Sequence, residues 1–302
     1  MTFKIPNYPN VFFEAGYNVE FVEKEFDVTQ DGKVREVKFD IVLNNAFKNH
    51  SLSFECKSGS AEPEQLLKYS KLTPEEMVSV GGVSSAVPAS HTNDIVVVCN
   101  DCNLEKIQLD TAPYSFTHMS VSNSPTLVIM HEEPFQDDDL VELFSSPIEY
   151  PSFIHEVFRV SGQTPIFKYI KIIATELTAL SVEGQESFTL TEMAASVCST
   201  IPGLYPARVG NQMRKEVENK VSSALLAGSQ SELSDYYMWD KKVGRGMLKK
   251  IKPGCKPMTY KAFKQAVDAI SERLRVGGAA PSKKKTVVYE DPNQLTWDSK
   301  FE

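Results

Sequence analysis

The spacing of the apolar residues changes near residue 150, and this change divides the chain into two parts. Before it, apolar and polar residues alternate in short segments such as Val34–Leu43, a pattern typical of β-strands. After it, apolar residues recur every three or four positions, most clearly over Ile166–Leu180, which predicts amphipathic helices. A chain of 302 residues has room for two domains, each with its own core. We therefore predict domains over 1–149 and 150–276, with a mobile tail over 277–302.

The first domain is predicted to be an α/β fold with a mixed sheet flanked by helices. An Asp-Gly pair between two strand patterns predicts a tight hairpin at Asp31 and Gly32. Alternation along Ser51–Lys57 places Glu55 and Lys57 on one face, and Phe54 and Cys56 on the face toward the core. The Pro-containing segment Ser145–Ser152 is the predicted linker. The predicted elements are strands over Asn18–Val28, Val34–Leu43, Ser51–Lys57, Asp94–Asn100 and Thr126–His131, and helices over Glu64–Leu72 and after Asp137.

Charge is distributed unevenly between the two parts. The first 151 residues carry 10 lysines and arginines against 24 aspartates and glutamates, while residues 152–302 carry 22 against 16. The net charges are therefore −14 and +6. Such an asymmetry is explained either by two modules with different partners or by two oppositely charged surfaces that dock on each other.

Two adjacent predicted strands carry the candidate catalytic and metal-binding residues. If the hairpin that joins them is symmetric about its loop, Asp40 lies opposite Glu55, and Lys57 lies beside both. Two carboxylates at cross-strand distance repel each other unless a cation lies between them. Hard oxygen ligands suit Mg²⁺, and a lysine beside the metal suits phosphate chemistry. The alternative is a solvated strand face, on which ion pairs contribute little to stability.

This arrangement resembles the PD-(D/E)XK nuclease superfamily, the restriction-endonuclease-like enzymes. The likeness rests on an Asp after an apolar residue in one strand and Glu-x-Lys in the next; Ser58-Gly59, Gln65 and Lys68-Tyr69 are also similar to many members. The resemblance covers about residues 12–131. It implies a Mg²⁺- or Mn²⁺-dependent endonuclease with Asp40 and Glu55 as metal ligands, Lys57 as the catalytic lysine, and Gln65 orienting that lysine or contacting a phosphate. A further metal ligand would be Glu14 or, second, Glu20.

The second domain is predicted to bind DNA or a protein partner. Short helices separated by Gly/Pro turns are compatible with a helix-turn-helix or winged-helix arrangement. Thr189 and Glu192 open one of these helices, and another is predicted over Pro206–Leu226. Basic side chains are concentrated here, and they are the predicted phosphate contacts. The set is Arg208, Arg214, Lys215, Lys241, Lys242, Arg245, Lys249 and Lys250.

The first interpretation is a metal-dependent DNA endonuclease in anti-phage defence or restriction. The alternatives are a catalytically inactive nuclease-fold scaffold that binds DNA, and an accessory subunit that binds a protein partner in a transposition or defence complex. A homo-oligomer is compatible with each of them. Five cysteines without a disulfide spacing, and no export signal, predict a cytoplasmic protein. No apolar run is long enough for a membrane span.

Overall fold

The computed structural model of the protein describes residues 9–123, 126–131, 134–150, 158–200, 204–251 and 256–277. The chain divides into two compact units between residues 154 and 155. No helix in the described part of the chain is long and apolar enough to cross a bilayer. The predicted tail beyond Gly277 lies outside the described residues.

The first unit is a mixed sheet covered by helices, which confirms the predicted α/β class. Its described strands pair in chain order, antiparallel from β1 to β3, parallel from β3 to β5 and antiparallel again to β7. The elements are α1 Val11–Glu14, β1 Asn18–Gln30, β2 Lys33–Asn45, β3 His50–Lys57, α2 Pro63–Ser70, α3 Pro74–Ser79, β4 Thr92–Asn100, α4 Leu104–Thr111, β5 Thr117–Asn123, β6 Thr126–His131, α5 Asp138–Leu143 and β7 Ile148–Glu149.

Local sequence signals explain how the first unit begins. Asp31 and Gly32 both have positive φ, at 53° and 71°, as the two central residues of a type I′ turn require. β1 therefore ends at Gln30 and β2 begins at Lys33, with those two residues paired across the turn. The Asp-Gly signal predicted this hairpin correctly. Farther along, Pro63 occupies the first turn of α2, where its missing N–H costs nothing.

Both faces of the sheet are apolar, and both are covered. On one face, Tyr69 of α2 stacks on Phe39 of β2 with their ring centroids 4.4 Å apart. On the other face, Phe12 of α1 meets Phe54 of β3 edge-on at 5.3 Å, and Phe144 beyond α5 packs on the same ring of Phe12. Glu55 and Phe54 are consecutive on β3 and point to opposite faces, and Tyr69 of α2 donates to Glu55, so α2 lies on the face opposite to α1. This arrangement determines which strand residues can contact α2.

Two predictions for the first unit were wrong in detail. The predicted linker Ser145–Ser152 contains β7, which pairs antiparallel with β6, so this part of the chain belongs to the sheet. Cys56, predicted to face the core, is exposed, whereas Glu55 is buried. The reason is that α2 covers the face on which Glu55 lies, and β3 ends one residue after Cys56.

The second unit combines helices with a small antiparallel sheet whose strand order is β8-β10-β9. Helix α7 begins with a complete capping box between Thr189 and Glu192, as the sequence predicted. The predicted helix Pro206–Leu226 begins only at Asn211, because Gly210, in a non-helical conformation, is its N-cap. The elements are α6 Ile166–Val182, β8 Ser187–Thr189, α7 Leu190–Cys198, α8 Asn211–Ser229, β9 Tyr237–Asp240, β10 Arg245–Leu248 and α9 Pro257–Gly277.

Candidate functional site

The candidate site lies where the ladder between β2 and β3 ends. Cα pairing runs from Asn45↔His50 to Ile41↔Phe54 and stops one residue short of Asp40 and Glu55. The backbone N–H of Cys56 donates to Asp40 Oδ2 at 2.6 Å. The Asp40 carboxylate thus replaces the next bond of the ladder and is fixed to the β3 backbone.

Glu55 is the centre of a buried hydrogen-bond network. Its Oε1 lies 2.8 Å from Lys57 Nζ and accepts from Gln65 Nε2 at 2.9 Å. Its Oε2 accepts from the Tyr69 hydroxyl at 2.9 Å. The Lys57 ammonium also donates to Gln65 Oε1 at 2.6 Å. The side chains of Glu55 and Lys57 are only 8% and 12% exposed, so both charges depend on these bonds for solvation.

Helix α2 supplies the neutral half of this network. Gln65 and Tyr69 are four residues apart and therefore lie on one face of the helix, where Gln65 Nε2 donates to the Tyr69 hydroxyl oxygen at 2.6 Å. Burial, and then the negative charge of Glu55, raise the pKa of Tyr69, so its hydroxyl stays a donor. Stacking on Phe39 holds the ring in place. A rigid helix thus sets the orientation of the Glu55 carboxylate.

The Asp40 carboxyl has a strongly perturbed pKa. Burial, and then the charge of Glu55, raise the pKa of Asp40 to about 6, although the bond from the Cys56 N–H favours the ionised form. Glu23 contributes to the same effect. A positive charge beside Asp40 would favour its ionised form.

Replacing Asp40 with asparagine is expected to stabilise the protein in a pH-dependent way. The folded pKa of about 6 lies above the ordinary value of 3.8, so the ionised carboxylate destabilises the fold above pH 6, and the effect vanishes below the ordinary value. We expect Asp40→Asn to raise the free energy of unfolding by about 1–2 kcal/mol at about pH 8 and by almost nothing at about pH 4. Urea unfolding without divalent cations measures both. A loss of stability at the higher pH would contradict this description of Asp40.

Glu23 is a neighbour of the site that sequence reasoning missed. It lies on β1 between Val22 and Lys24, which pair with Ile41 and Phe39 on β2. Asp40 lies between those two partners. Its φ is +47°, a conformation that non-glycine residues seldom adopt. Its Oε2 is 3.0 Å from Lys38 Nζ, and both side chains are partly exposed. The pairing register of β1 with β2 brings Glu23 to this position, and the irregular backbone at Glu23 has no signal in the sequence.

A family model described as the MJECL32 domain matches residues 1–155, just over half of the chain. The chain belongs to the MJECL32 domain family. A protein of Methanocaldococcus jannaschii named "Uncharacterized protein MJECL32" is 34% identical over 80 residues, which cover 24% of this chain and 18% of that protein. The chain thus spans less than a fifth of that relative's length. No solved structure matches the chain.

The MJECL32 domain contains the sheet from β1 to β7 and the whole candidate site. Glu14, a predicted metal ligand, is exposed at the end of α1, on the face opposite to α2, and no described contact joins it to Asp40 or Glu55. No contact in the described structure supports the predicted role of Glu14 as a metal ligand. Glu20 is buried and accepts from Ser84 Oγ at 2.8 Å.

The donor set of the MJECL32 domain fits Mg²⁺ or Mn²⁺. Among the described residues, no group of three or more His, Cys, Asp or Glu side chains is placed to hold a metal. Mg²⁺, however, is usually held by one or two carboxylates, and waters or substrate phosphates complete its shell. Asp40 and Glu55 supply two such carboxylates. After burial, the negative charge of Glu55 is the second cause of the raised pKa of Asp40, and a divalent cation would relieve that repulsion.

The basic residues predicted to contact phosphate lie in the second unit, beyond the MJECL32 domain. They form three groups: before and within the first turns of α8, in the hairpin between β9 and β10, and directly after β10. In order, the groups are Arg208, Arg214 and Lys215; Lys241, Lys242 and Arg245; and Lys249 and Lys250.

Proposed function

We propose that the MJECL32 domain of this chain is a Mg²⁺- or Mn²⁺-dependent endonuclease domain that hydrolyses phosphodiester bonds in DNA. The observation that carries the proposal is the buried network of Glu55, Lys57 and Gln65 beside Asp40. A solvated strand face would leave these groups exposed and independent. Their burial and interconnection favour a site that has to hold charges in fixed positions.

Each side chain has a role that follows from its position. Asp40 and Glu55 would hold the metal, which would supply Lewis-acid stabilisation of the phosphate and a more acidic bound water. Lys57 would stabilise negative charge that develops on the phosphate, because its ammonium lies 2.8 Å from the Glu55 carboxylate. Gln65 would orient that ammonium through Oε1 and the Glu55 carboxylate through Nε2.

The element order is the ground for a finer fold assignment. An antiparallel β1–β3 meander, α2 packed behind it and parallel β4 and β5 agree with a restriction-endonuclease-like fold. In the second unit, the sequence α6, β8, α7, α8, β9, β10 is the order expected of a winged helix. We propose both assignments, with the acidic first unit carrying the chemistry and the basic second unit holding duplex DNA.

A nuclease-fold scaffold without activity is the second candidate, and one observation favours it. Both oxygens of Glu55 accept hydrogen bonds from protein groups, so the carboxylate is satisfied without a cation. A scaffold would keep this network for stability alone. Metal binding separates the two candidates.

Metal binding is expected to stabilise the wild-type protein. A ligand present at about 100 times its dissociation constant adds about 2.7 kcal/mol to the free energy of unfolding. We therefore expect the melting temperature to rise with Mg²⁺ concentration for wild type and not for Asp40→Asn. Equal melting curves for both proteins, with and without Mg²⁺, would favour the scaffold.

A further inference from the structure

The basic residues of the second unit differ in how far the protein already engages their side chains. Lys250 is paired with Asp235, Lys249 Nζ donates to the Ser234 carbonyl at 2.9 Å, and Arg214 donates to Asn211 Oδ1 at 2.9 Å. In the described part of this unit, by contrast, the side chains of Lys241 and Lys242 are exposed and make no ion pair. Two adjacent cations without an ion pair or a side-chain hydrogen bond in the described part of the unit therefore lie in one turn.

That turn, the basic hairpin, comprises residues 240–245 and is held in a defined conformation. Asp240 Oδ1 accepts the backbone N–H groups of Lys242 at 2.9 Å and Val243 at 3.2 Å, and its carbonyl accepts from the Gly244 N–H at 2.8 Å. Gly244 has a φ of +67°, which suits glycine. Its carbonyl accepts from the Leu190 N–H at 2.9 Å, which ties the turn to the start of α7.

The strands below the basic hairpin are also well anchored. Trp239 of β9 is buried and stacks on Phe188 of β8, with ring planes only 4° apart. Arg245 of β10 reaches the neutral Ser187 hydroxyl at 3.1 Å, so its charge is not cancelled. Because the backbone is already ordered, a ligand that binds these cations orders only their side chains.

Apolar surface accompanies the charge. Val243, between the cations at the tip, is 71% exposed. Exposed lysine and arginine around an apolar tip match the surface of duplex DNA, where phosphates flank a groove lined by sugars and base edges. An acidic protein surface would match the same charge, and failure of the chain to bind a duplex at low salt would favour it.

Helix α8 is less suited to carry this binding. Its basic residues alternate with Glu216 and Glu218, so the helix has little net charge. One of these carboxylates, Glu218, accepts from the Tyr205 hydroxyl at 2.8 Å and stays at the helix surface. These two carboxylates repel phosphates from the basic side chains beside them.

We infer that the basic hairpin, and not α8, is the principal duplex-DNA contact of the second unit, with its three cations on phosphates and Val243 against the groove. This inference rests on the proposed function for its ligand. It assigns the DNA contact to the basic hairpin and to four of its residues: Lys241, Lys242, Val243 and Arg245.

The test is fluorescence anisotropy of a short labelled duplex with the full chain, repeated as salt is raised. Each lost phosphate contact lowers the slope of log affinity against log salt by about 1, so Lys241→Ser/Lys242→Ser/Arg245→Ser should lower it by about 2–3. The same variant should bind at least about tenfold more weakly at low salt. Lys249→Ser/Lys250→Ser is the matched control and should change the slope by less than about 1.

Val243→Ser separates the apolar contact from the charges. It should weaken binding without changing the salt slope, because no phosphate contact is lost. The inference is overturned if wild type does not bind the duplex at low salt, if the triple variant keeps the wild-type slope, or if Lys215→Ser/Lys220→Ser in α8 causes the larger loss.

Plasmid cleavage by the same preparations distinguishes this inference from the proposed function. Wild type that cleaves, together with a triple variant that binds normally, would overturn the hairpin inference alone. Hairpin-dependent binding without metal-dependent cleavage would support the inference and overturn the nuclease proposal.

Discussion

Replacing Lys57 with alanine should lower magnesium-dependent cleavage of plasmid DNA by about 100-fold or more, the scale of removing one preorganised donor from a transition state. The ammonium is held by Glu55 at 2.8 Å and Gln65 at 2.6 Å, so in wild type it is in place before any substrate arrives. Magnesium affinity should change little, because a lysine is not a metal ligand. Cleavage rates and a calorimetric Mg²⁺ titration measure the two effects separately.

A matched control is available on the same sheet. Lys33, at the hairpin between β1 and β2, is exposed and should tolerate alanine without loss of cleavage. If Lys57→Ala and Lys33→Ala cleave equally fast, any nuclease activity of the chain lies elsewhere.

Replacing Glu55 with glutamine should destabilise the protein by about 3 kcal/mol, because removing one partner of a buried ion pair leaves the other charge uncompensated. Here the uncompensated charge is the Lys57 ammonium, whose side chain is 12% exposed. The predicted effect has the opposite sign to that of Asp40→Asn, although both changes neutralise a carboxylate. Urea unfolding at about pH 8 measures it.

A second substitution checks the physical cause of that loss. If the unpaired ammonium is responsible, Glu55→Gln/Lys57→Met should recover a substantial part of the stability, and the double-mutant cycle should show a coupling of at least about 1 kcal/mol. Additive effects of the two substitutions would mean that the network contributes no coupling and that the Glu55–Lys57 pair is weak.

Much of the first unit could be predicted because its signals are local. The Asp31-Gly32 turn fixes the register of β1 and β2, and alternation in β3 places Glu55 and Lys57 on one face. The burial of Glu55 and the exposure of Cys56 were not predictable in this way. Alternation does not say that α2 covers the Glu55 side through Tyr69 on Phe39, or that the cover on the Phe54 side ends before Cys56.

The missed features depend on tertiary structure. Strands β9 and β10 have four residues each, too few for alternation to separate them from a loop. They form by pairing with each other and with β8, beside the stack of Trp239 on Phe188. Likewise, β7 has two residues and forms only by pairing with β6. The left-handed backbone conformation of Glu23, beside Asp40, is a further tertiary feature. None of these leaves a periodic trace in the sequence.

The most direct test of the central claim is cleavage of supercoiled plasmid by wild type with Mg²⁺, beside wild type with a chelator and Asp40→Asn with Mg²⁺. If Asp40 and Glu55 hold the metal that hydrolyses phosphodiester bonds, only wild type with Mg²⁺ converts the plasmid to nicked or linear forms. Cleavage that persists in Asp40→Asn, or that is unaffected by the chelator, would contradict it.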